Sequence, residues 1–218
     1  MRIGNAPYDS AKDIPEVVPV FPLSGVLLLP RSNLPLNIFE DRYIAMVDEA
    51  LATHRLIGMV QPQFDAGSDG SSDDPMPPLC QVGALGRIVS FQETGDGRYI
   101  IQLGGVCRFE VVEEVDYGDP FRTCRIAVDR FAGDLKVRPG EAEEVDRAAL
   151  IDAFQNYLDA NDLKADWKSV QSASNEALVN TLAMMSPYGP REKQALLEAP
   201  DLKSRAATLV AVTEVALA

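Results

Sequence analysis

A single histidine, His54, and three cysteines, Cys80, Cys107 and Cys124, are all the imidazole and thiol chemistry this 218-residue chain holds. They fall into neither C-x-x-C nor H-x-x-x-H spacing, so a conventional zinc site has too few ligands within reach. None of the six lysines follows a glycine, which excludes the Gly-Lys-Ser/Thr core of a phosphate-binding loop. Gly83-Ala84-Leu85-Gly86 and Gly95-Asp96-Gly97 lack G-x-G-x-x-G spacing and a strand-to-helix setting, and read as bulge or turn glycines. No Gly-x-Ser-x-Gly nucleophile elbow occurs. Apolar runs such as residues 26–29 end after four residues, far short of the roughly 20 that cross a bilayer. Residues 1–5 contain no apolar signal core, and together with the odd cysteine count this implies a reducing cytoplasm.

Positive charge is also scarce. Lys and Arg number 20 against 33 Asp and Glu, a formal balance of −13. Divided at residue 133, the first part has 11 basic and 19 acidic residues and the second 9 and 14, so averaging hides no basic half. Nucleic-acid binding through the phosphate backbone is therefore disfavoured, because it draws its affinity from clustered Lys and Arg.

The chain does have ample apolar material, 46% of residues, and a length of about one and a half typical domains. Residues 1–16 read as a polar lead-in. Residues 17–133 hold short β-rich stretches: 17–23 with edge-suited prolines, 56–60, 81–92, 98–105, 106–115 and 121–128. One early helix starts near Phe39, with Tyr43, Ile44, Met46, Val47, Ala50 and Leu51 on one face. Residues 65–78 carry four acids, no base and one large apolar side chain, and read as a mobile loop. Many short strands with one helix suggest a small barrel. After Pro139-Gly140 the period becomes helical, and residues 134–218 read as an α-helical lobe, with Pro190 and Pro200 at helix starts.

Individual candidates for chemistry each have a plainer structural role. His54 sits beside Arg55 at the end of the early helix, where a cation complements the dipole. The cysteines lie in or near strands and suit small core positions. Glu40 and Asp41 suit the orphan amides of a helix start. Trp167 fits the plug of the helical lobe, with an exposed ligand anchor as the alternative.

One pattern runs through most of the chain. It begins with Pro19-Val20-Phe21-Pro22-Leu23, Pro30 and Leu34-Pro35-Leu36-Asn37-Ile38-Phe39-Glu40-Asp41-Arg42-Tyr43, then Met46-Val47. It continues through Ile57-Gly58-Met59-Val60, Val82-Gly83, Gly86-Arg87-Ile88, Asp96-Gly97-Arg98-Tyr99 and Gly104-Gly105-Val106-Cys107-Arg108-Phe109. Leu178-Val179-Asn180 and Glu192-Lys193-Gln194-Ala195-Leu196-Leu197-Glu198-Ala199 carry it into the helical part. Over about residues 17–212 the chain resembles the N-terminal, substrate-binding domain of Lon proteases and its stand-alone bacterial relatives. Asp41 stands where that family often has proline, a change that a helix's first turn accepts.

The resemblance implies an α+β chain: a PUA-like small β-barrel with one early helix, followed by a C-terminal α-helical bundle. It implies substrate recognition without catalysis and without a cofactor. The ATPase and protease modules lie downstream in full-length Lon, and the chain ends at Ala218 before either, so a stand-alone member is expected.

Within that frame, Ile38 and Phe39 are expected to plug the barrel, and Tyr43, Met46 and Val47 to bury the helix's inner face. Glu40 and Arg42 are expected to clamp the helix to neighbouring strands, with Arg87 or Arg108 as partner, at a cost on the order of 3 kcal/mol if one side is removed. A shallow apolar groove between barrel and helical lobe, lined by Phe21, Pro22, Leu23, Leu27, Leu28 and Pro30, is the expected site for peptide. Burial in the core is the competing reading of those same residues. The expected partners are unfolded or exposed polypeptide segments and Lon or another protease, with no membrane and no nucleic acid. A PUA-like reader of RNA or of a small ligand is the alternative function.

Overall fold

The computed structural model describes residues 1–63, 76–136, 140 and 144–217, and the chain divides into two units, Met1–Val137 and Arg138–Ala218. In the first unit, β1 (Arg2–Ile3) and β2 (Ala6–Pro7) form a small hairpin, and a 3₁₀ turn at Ala11–Asp13 leads into β3 (Val17–Pro22). There follow β4 (Asn33–Ile38), α1 (Asp41–Ala52), β5 (Leu56–Val60), β6 (Val82–Glu93), β7 (Tyr99–Val115) and β8 (Arg122–Ala127). A 3₁₀ stretch at Asp129–Leu135 closes the unit.

The strand order is β4-β7-β6-β5-β3-β8, and β8 returns to pair with β7. The sheet thus closes into a ring of β7, β6, β5, β3 and β8, with β4 added outside it. Long β7 makes this possible by pairing with β4 through residues 99–104 and with β8 through residues 110–115. Pairing is antiparallel throughout except between β3 and β5, whose parallel register is reached by a crossover through α1. Tyr43, Met46, Val47 and Ala50, three or four residues apart, form the buried stripe of α1, which packs on β3 and β5.

The ring is filled by Val18, Val20, Leu56, Leu85, Val106 and Phe109. Phe109 is completely buried, and its ring occupies space that side chains would otherwise take. A Cβ on Gly83 would lie 2.5 Å from Phe109 Cζ and 2.7 Å from the Met59 carbonyl oxygen, and one on Gly58 would lie 2.9 Å from Phe109 Cζ. Next to Phe109, Arg108 turns to the other face and remains buried. Its Nε and Nη2 donate to the two carboxylate oxygens of Asp134 at 2.8 Å each, its own backbone N–H donates to Asp134 at 3.0 Å, and its guanidinium lies 4.5 Å over the Phe131 ring.

Several expectations change here. Glu40 and Arg42, expected to clamp the helix to neighbouring strands, pair with each other at the surface at 2.8 Å, and the buried ion pair of Arg108 is with Asp134 in the 3₁₀ stretch, not with the helix. Phe39 does not plug the barrel. It is 62% exposed while Ile38 is buried, because the alternation of β4 turns successive side chains to opposite faces. Residues 1–16 are more than a lead-in, since Tyr8 and Ile14 join the barrel core and the Tyr8 hydroxyl accepts from Arg87. Residues 98–105 and 106–115 form one strand. Gly105 does not break it because its N–H and C=O bond to Ser32 and Arg31, and a Cβ there would collide with the Leu29 carbonyl. Of the acidic stretch 65–78, residues 65–75 lie outside the described residues.

The second unit contains α2 (Arg147–Ala160), α3 (Trp167–Ser172), α4 (Asn175–Met185), α5 (Pro190–Glu198) and α6 (Leu202–Leu217). The side chains of Asp146, Asp166 and Ser174 accept first-turn amides of α2, α3 and α4, and Pro190 opens α5 where its missing N–H costs nothing. α6 packs against α2, α4 and α5. Trp167 is half-buried with its ring edge-to-face to Phe154 at 6.4 Å.

Two buried cations of this unit satisfy helix ends. Lys193 Nζ donates to the Ala183 and Met184 carbonyls at 2.8 Å each, in the last turn of α4. Arg205 Nε donates to the Leu196 carbonyl of α5 at 3.0 Å. Among the described residues, no buried side-chain nitrogen or oxygen lacks a hydrogen-bond partner.

Three outcomes are expected from stability measurements. Gly83→Ala overpacks Phe109 against backbone and destabilises the first unit by about 1–3 kcal/mol in urea unfolding. Asp134→Ala strands the buried Arg108 and costs about 3–5 kcal/mol, while Arg108→Met with Asp134→Leu recovers much of that loss. Burial pushes the Lys193 ammonium down to about 8. Between there and the ~10.4 of an unfolded lysine, the unfolded chain holds a proton that folded Lys193 has released. The stability of the wild type relative to Lys193→Met therefore rises with pH across that window; a flat difference would contradict it.

Candidate functional site

A cleft of about 610 Å³ lies wholly within the first unit. It gathers the end of β3 (Pro22), the first turn of α1 (Arg42, Tyr43), Pro62 after β5, Met76 and Pro77, the end of β7, and the start of β8. The turn of residues 116–121 forms one wall. The β7–β8 ladder ends at Val115 and Thr123, which releases these residues from pairing. Within the turn, the Gly118 N–H donates to Asp116 Oδ1 at 2.8 Å, a side-chain-closed turn that Asp favours.

Tyr43 forms part of the floor. Its ring meets Phe21 with centroids 4.1 Å apart and carries the Arg42 guanidinium 4.6 Å above its centroid. Burial raises its phenol above the usual range, so it presents a neutral hydroxyl. Arg122 braces another wall by donating to both carboxylate oxygens of Glu114 and, at 2.7 Å, to the Pro77 carbonyl. On the far flank of the same turn is a smaller cleft of about 230 Å³, where Tyr117, Asp119 and Phe121 face Val17, Pro19 and Glu49. Tyr117 is 63% exposed, a large ring held in water between two depressions.

The residues expected from sequence to contact peptide are distributed unevenly. Phe21, Leu27, Leu28 and Pro30 are buried, which makes them interior packing; Leu23 is half-buried, and its N–H donates to the Val60 carbonyl at 2.9 Å. Pro22 alone of the six lines the larger cleft, while Phe21 acts behind it by supporting Tyr43. Of the motif residues, Arg42 and Tyr43 line the cleft and Glu40 pairs with Arg42 beside it. Phe39 is exposed, Arg87 donates to Tyr8 and to the His54 carbonyl, and Arg108 belongs to the buried pair with Asp134.

Sequence reading missed the turn Asp116-Tyr117-Gly118-Asp119-Pro120-Phe121. Its signal was present: two aromatic residues within a run of turn formers.

Groups suited to catalysis are dispersed. His54 is exposed at the end of α1. Cys107 and Cys124 are buried, and burial pushes both thiols up, Cys124 to about 12. Among the described residues, no group of three or more His, Cys, Asp or Glu could hold a metal ion, and no helix is long and apolar enough to cross a membrane.

The family model of the ATP-dependent protease La (LON) substrate-binding domain matches residues 17–212. The chain belongs to this family. The Lon protease of Roseiflexus castenholzii is 28% identical over 202 residues, which covers 91% of this chain and 24% of that protein. The Lon protease of Trichlorobacter lovleyi is 34% identical over 146 residues, 66% of this chain and 16% of that protein. The chain thus spans about 24% or less of the length of these relatives. Among solved structures, the N-terminal domain of the Mycobacterium avium complex Lon protease aligns with a TM-score of 0.63 at 16% identity, over 91% of this chain and 98% of that one. A Lon N-terminal domain protein from Xanthomonas campestris aligns with a TM-score of 0.61 at 21% identity, over 89% and 97%. At these identities the likeness is one of fold, a curled sheet followed by helices. Membership in the Lon substrate-binding family fits substrate recognition, and the match covers that domain alone, not the ATPase or protease modules of Lon.

Burial makes a chemical prediction for the cysteines of this Lon-type domain. In native protein near pH 8, a disulfide-exchange reagent titrates Cys80, which is partly exposed, and leaves Cys107 and Cys124 unreacted until denaturant is added. Two or three fast thiols in the native protein would contradict the packing described.

Proposed function

We propose that the chain binds exposed segments of unfolded polypeptide in the cleft beside the 116–121 turn and carries out no bond chemistry on them. It serves as a substrate binder or adaptor linked to proteolysis in the cytoplasm, in association with Lon or another protease. The observation that carries this reading is the cleft itself: about 610 Å³, walled by Pro22, Tyr43, Pro77, Pro120 and Phe121, with Tyr117 exposed at its rim. Flat apolar and aromatic faces accept many side chains without fixed directional contacts, which suits a partner defined by exposure more than by sequence. The dispersal of His54 and the burial of two cysteines support a binding role, and the free state of all three thiols fits a reducing compartment.

Tyr117→Ser is the informative variant, because an exposed side chain can be removed without disturbing the core. In fluorescence anisotropy with a labelled, permanently unfolded polypeptide, the wild type binds and Tyr117→Ser binds about 5-fold or more weakly, while thermal unfolding is unchanged. Peptidase or ATPase activity from the purified chain, or salt-sensitive RNA binding in its place, would overturn the reading.

A further inference from the structure

We infer, resting on that reading, that the cleft selects polypeptide segments in which an apolar or aromatic residue is accompanied by lysine or arginine. The selection follows from how its charges are already used. Two guanidiniums line the cleft, and each is already paired with a glutamate. Arg122 has only 10% of its side chain exposed and spends its donors on Glu114 and the Pro77 carbonyl. Arg42 is held by Glu40, with Nε at 2.9 Å and Nη2 at 2.8 Å from the same carboxylate oxygen, and lies over Tyr43.

The carboxylates are less completely matched. Glu114 and Glu40 neutralise the two arginines, but Asp116 receives only the Gly118 N–H, and Asp119 forms no ion pair among the described residues. Both project from the turn that separates the two clefts, and Glu49 adds a third acid on the far flank. A segment entering from either side therefore meets carboxylates that form no ion pair among the described residues, while the two arginines of the cleft are each matched by a glutamate.

Tyr117 strengthens the same preference. Its exposed ring offers a negative π-face to an ammonium or guanidinium. The aliphatic stem of a lysine or arginine can lie along Pro120 and Phe121 while its charged end reaches Asp116 or Asp119. An acidic segment, or a phosphate backbone, would meet repulsion at each of these points.

The test uses the full chain and three labelled peptides that share one aromatic-apolar core and differ only in flanking Lys, Gln or Glu. At about 50 mM salt the Lys peptide binds roughly 3- to 10-fold tighter than the Gln peptide, and the Glu peptide binds weakest. At about 0.5 M salt the spread contracts while binding of the Gln peptide persists. The double variant Asp116→Asn/Asp119→Asn brings the Lys peptide down to the affinity of the Gln peptide while the turn keeps its shape, since asparagine retains the oxygen that receives the Gly118 N–H. Equal binding of Lys and Gln peptides, with both weakened by Tyr117→Ser, overturns the charge selection and leaves the cleft as the binding site. Insensitivity of all three peptides to Tyr117→Ser removes the cleft reading itself. Tighter binding of a single-stranded RNA than of any peptide overturns both.

Discussion

The phenyl ring of Phe109 and the two glycines opposite it set the terms on which the barrel closes. A sheet that must return on itself brings β5 and β6 across the middle of β7, and the interior there admits one large ring only if the facing positions contribute no side chain. Gly58 and Gly83 meet that requirement. With the ring seated, β7 can continue past it to take β8 as a second partner on the side where β4 has ended. The projecting turn between β7 and β8, and hence the cleft it walls, depends on that closure. A substitution deep in the ring would reach the surface site through backbone geometry, with no altered contact at the site.

Charge is organised by the same economy in both units. Cations taken into the interior are assigned to acceptors that the backbone cannot satisfy alone: Lys193 to the last carbonyls of α4, Arg205 to the end of α5, and Arg108 to Asp134. Each placement agrees with the partial negative charge at a helix C-terminus or with a carboxylate lacking water. The acidic surplus of the sequence is thereby left for the surface. The balance of −13 is a property of the exposed face, and at the cleft it becomes a local preference through Asp116 and Asp119.

Much of the fold was legible because burial imposes a period. The inner face of α1 was readable at Tyr43, Met46 and Val47, and the proline-led start of α5 at Pro190. Strand β4 was harder, since Pro35 obscures its alternation of Leu34, Leu36 and Ile38, and the Gly104-Gly105 pair disguised the continuity of β7. At the site, Pro22, Arg42 and Tyr43 came from the motif that marks the family, while Phe21, Leu27, Leu28 and Pro30 belong to the interior. Apolar residues in a short run look alike whether they line a groove or fill a core, because composition does not report which neighbours cover them.

The inner face of α1, the helical character of the second unit, the acidic balance and the family were set by the sequence itself, because periodicity, spacing and charge are local or additive properties. Which arginine meets which carboxylate, which apolar residues remain open, and the meeting of Pro22, Pro77 and the 116–121 turn at one cleft were decided only by tertiary structure. These contacts join positions tens of residues apart, and closure of a sheet is a non-local event that no window along the chain contains.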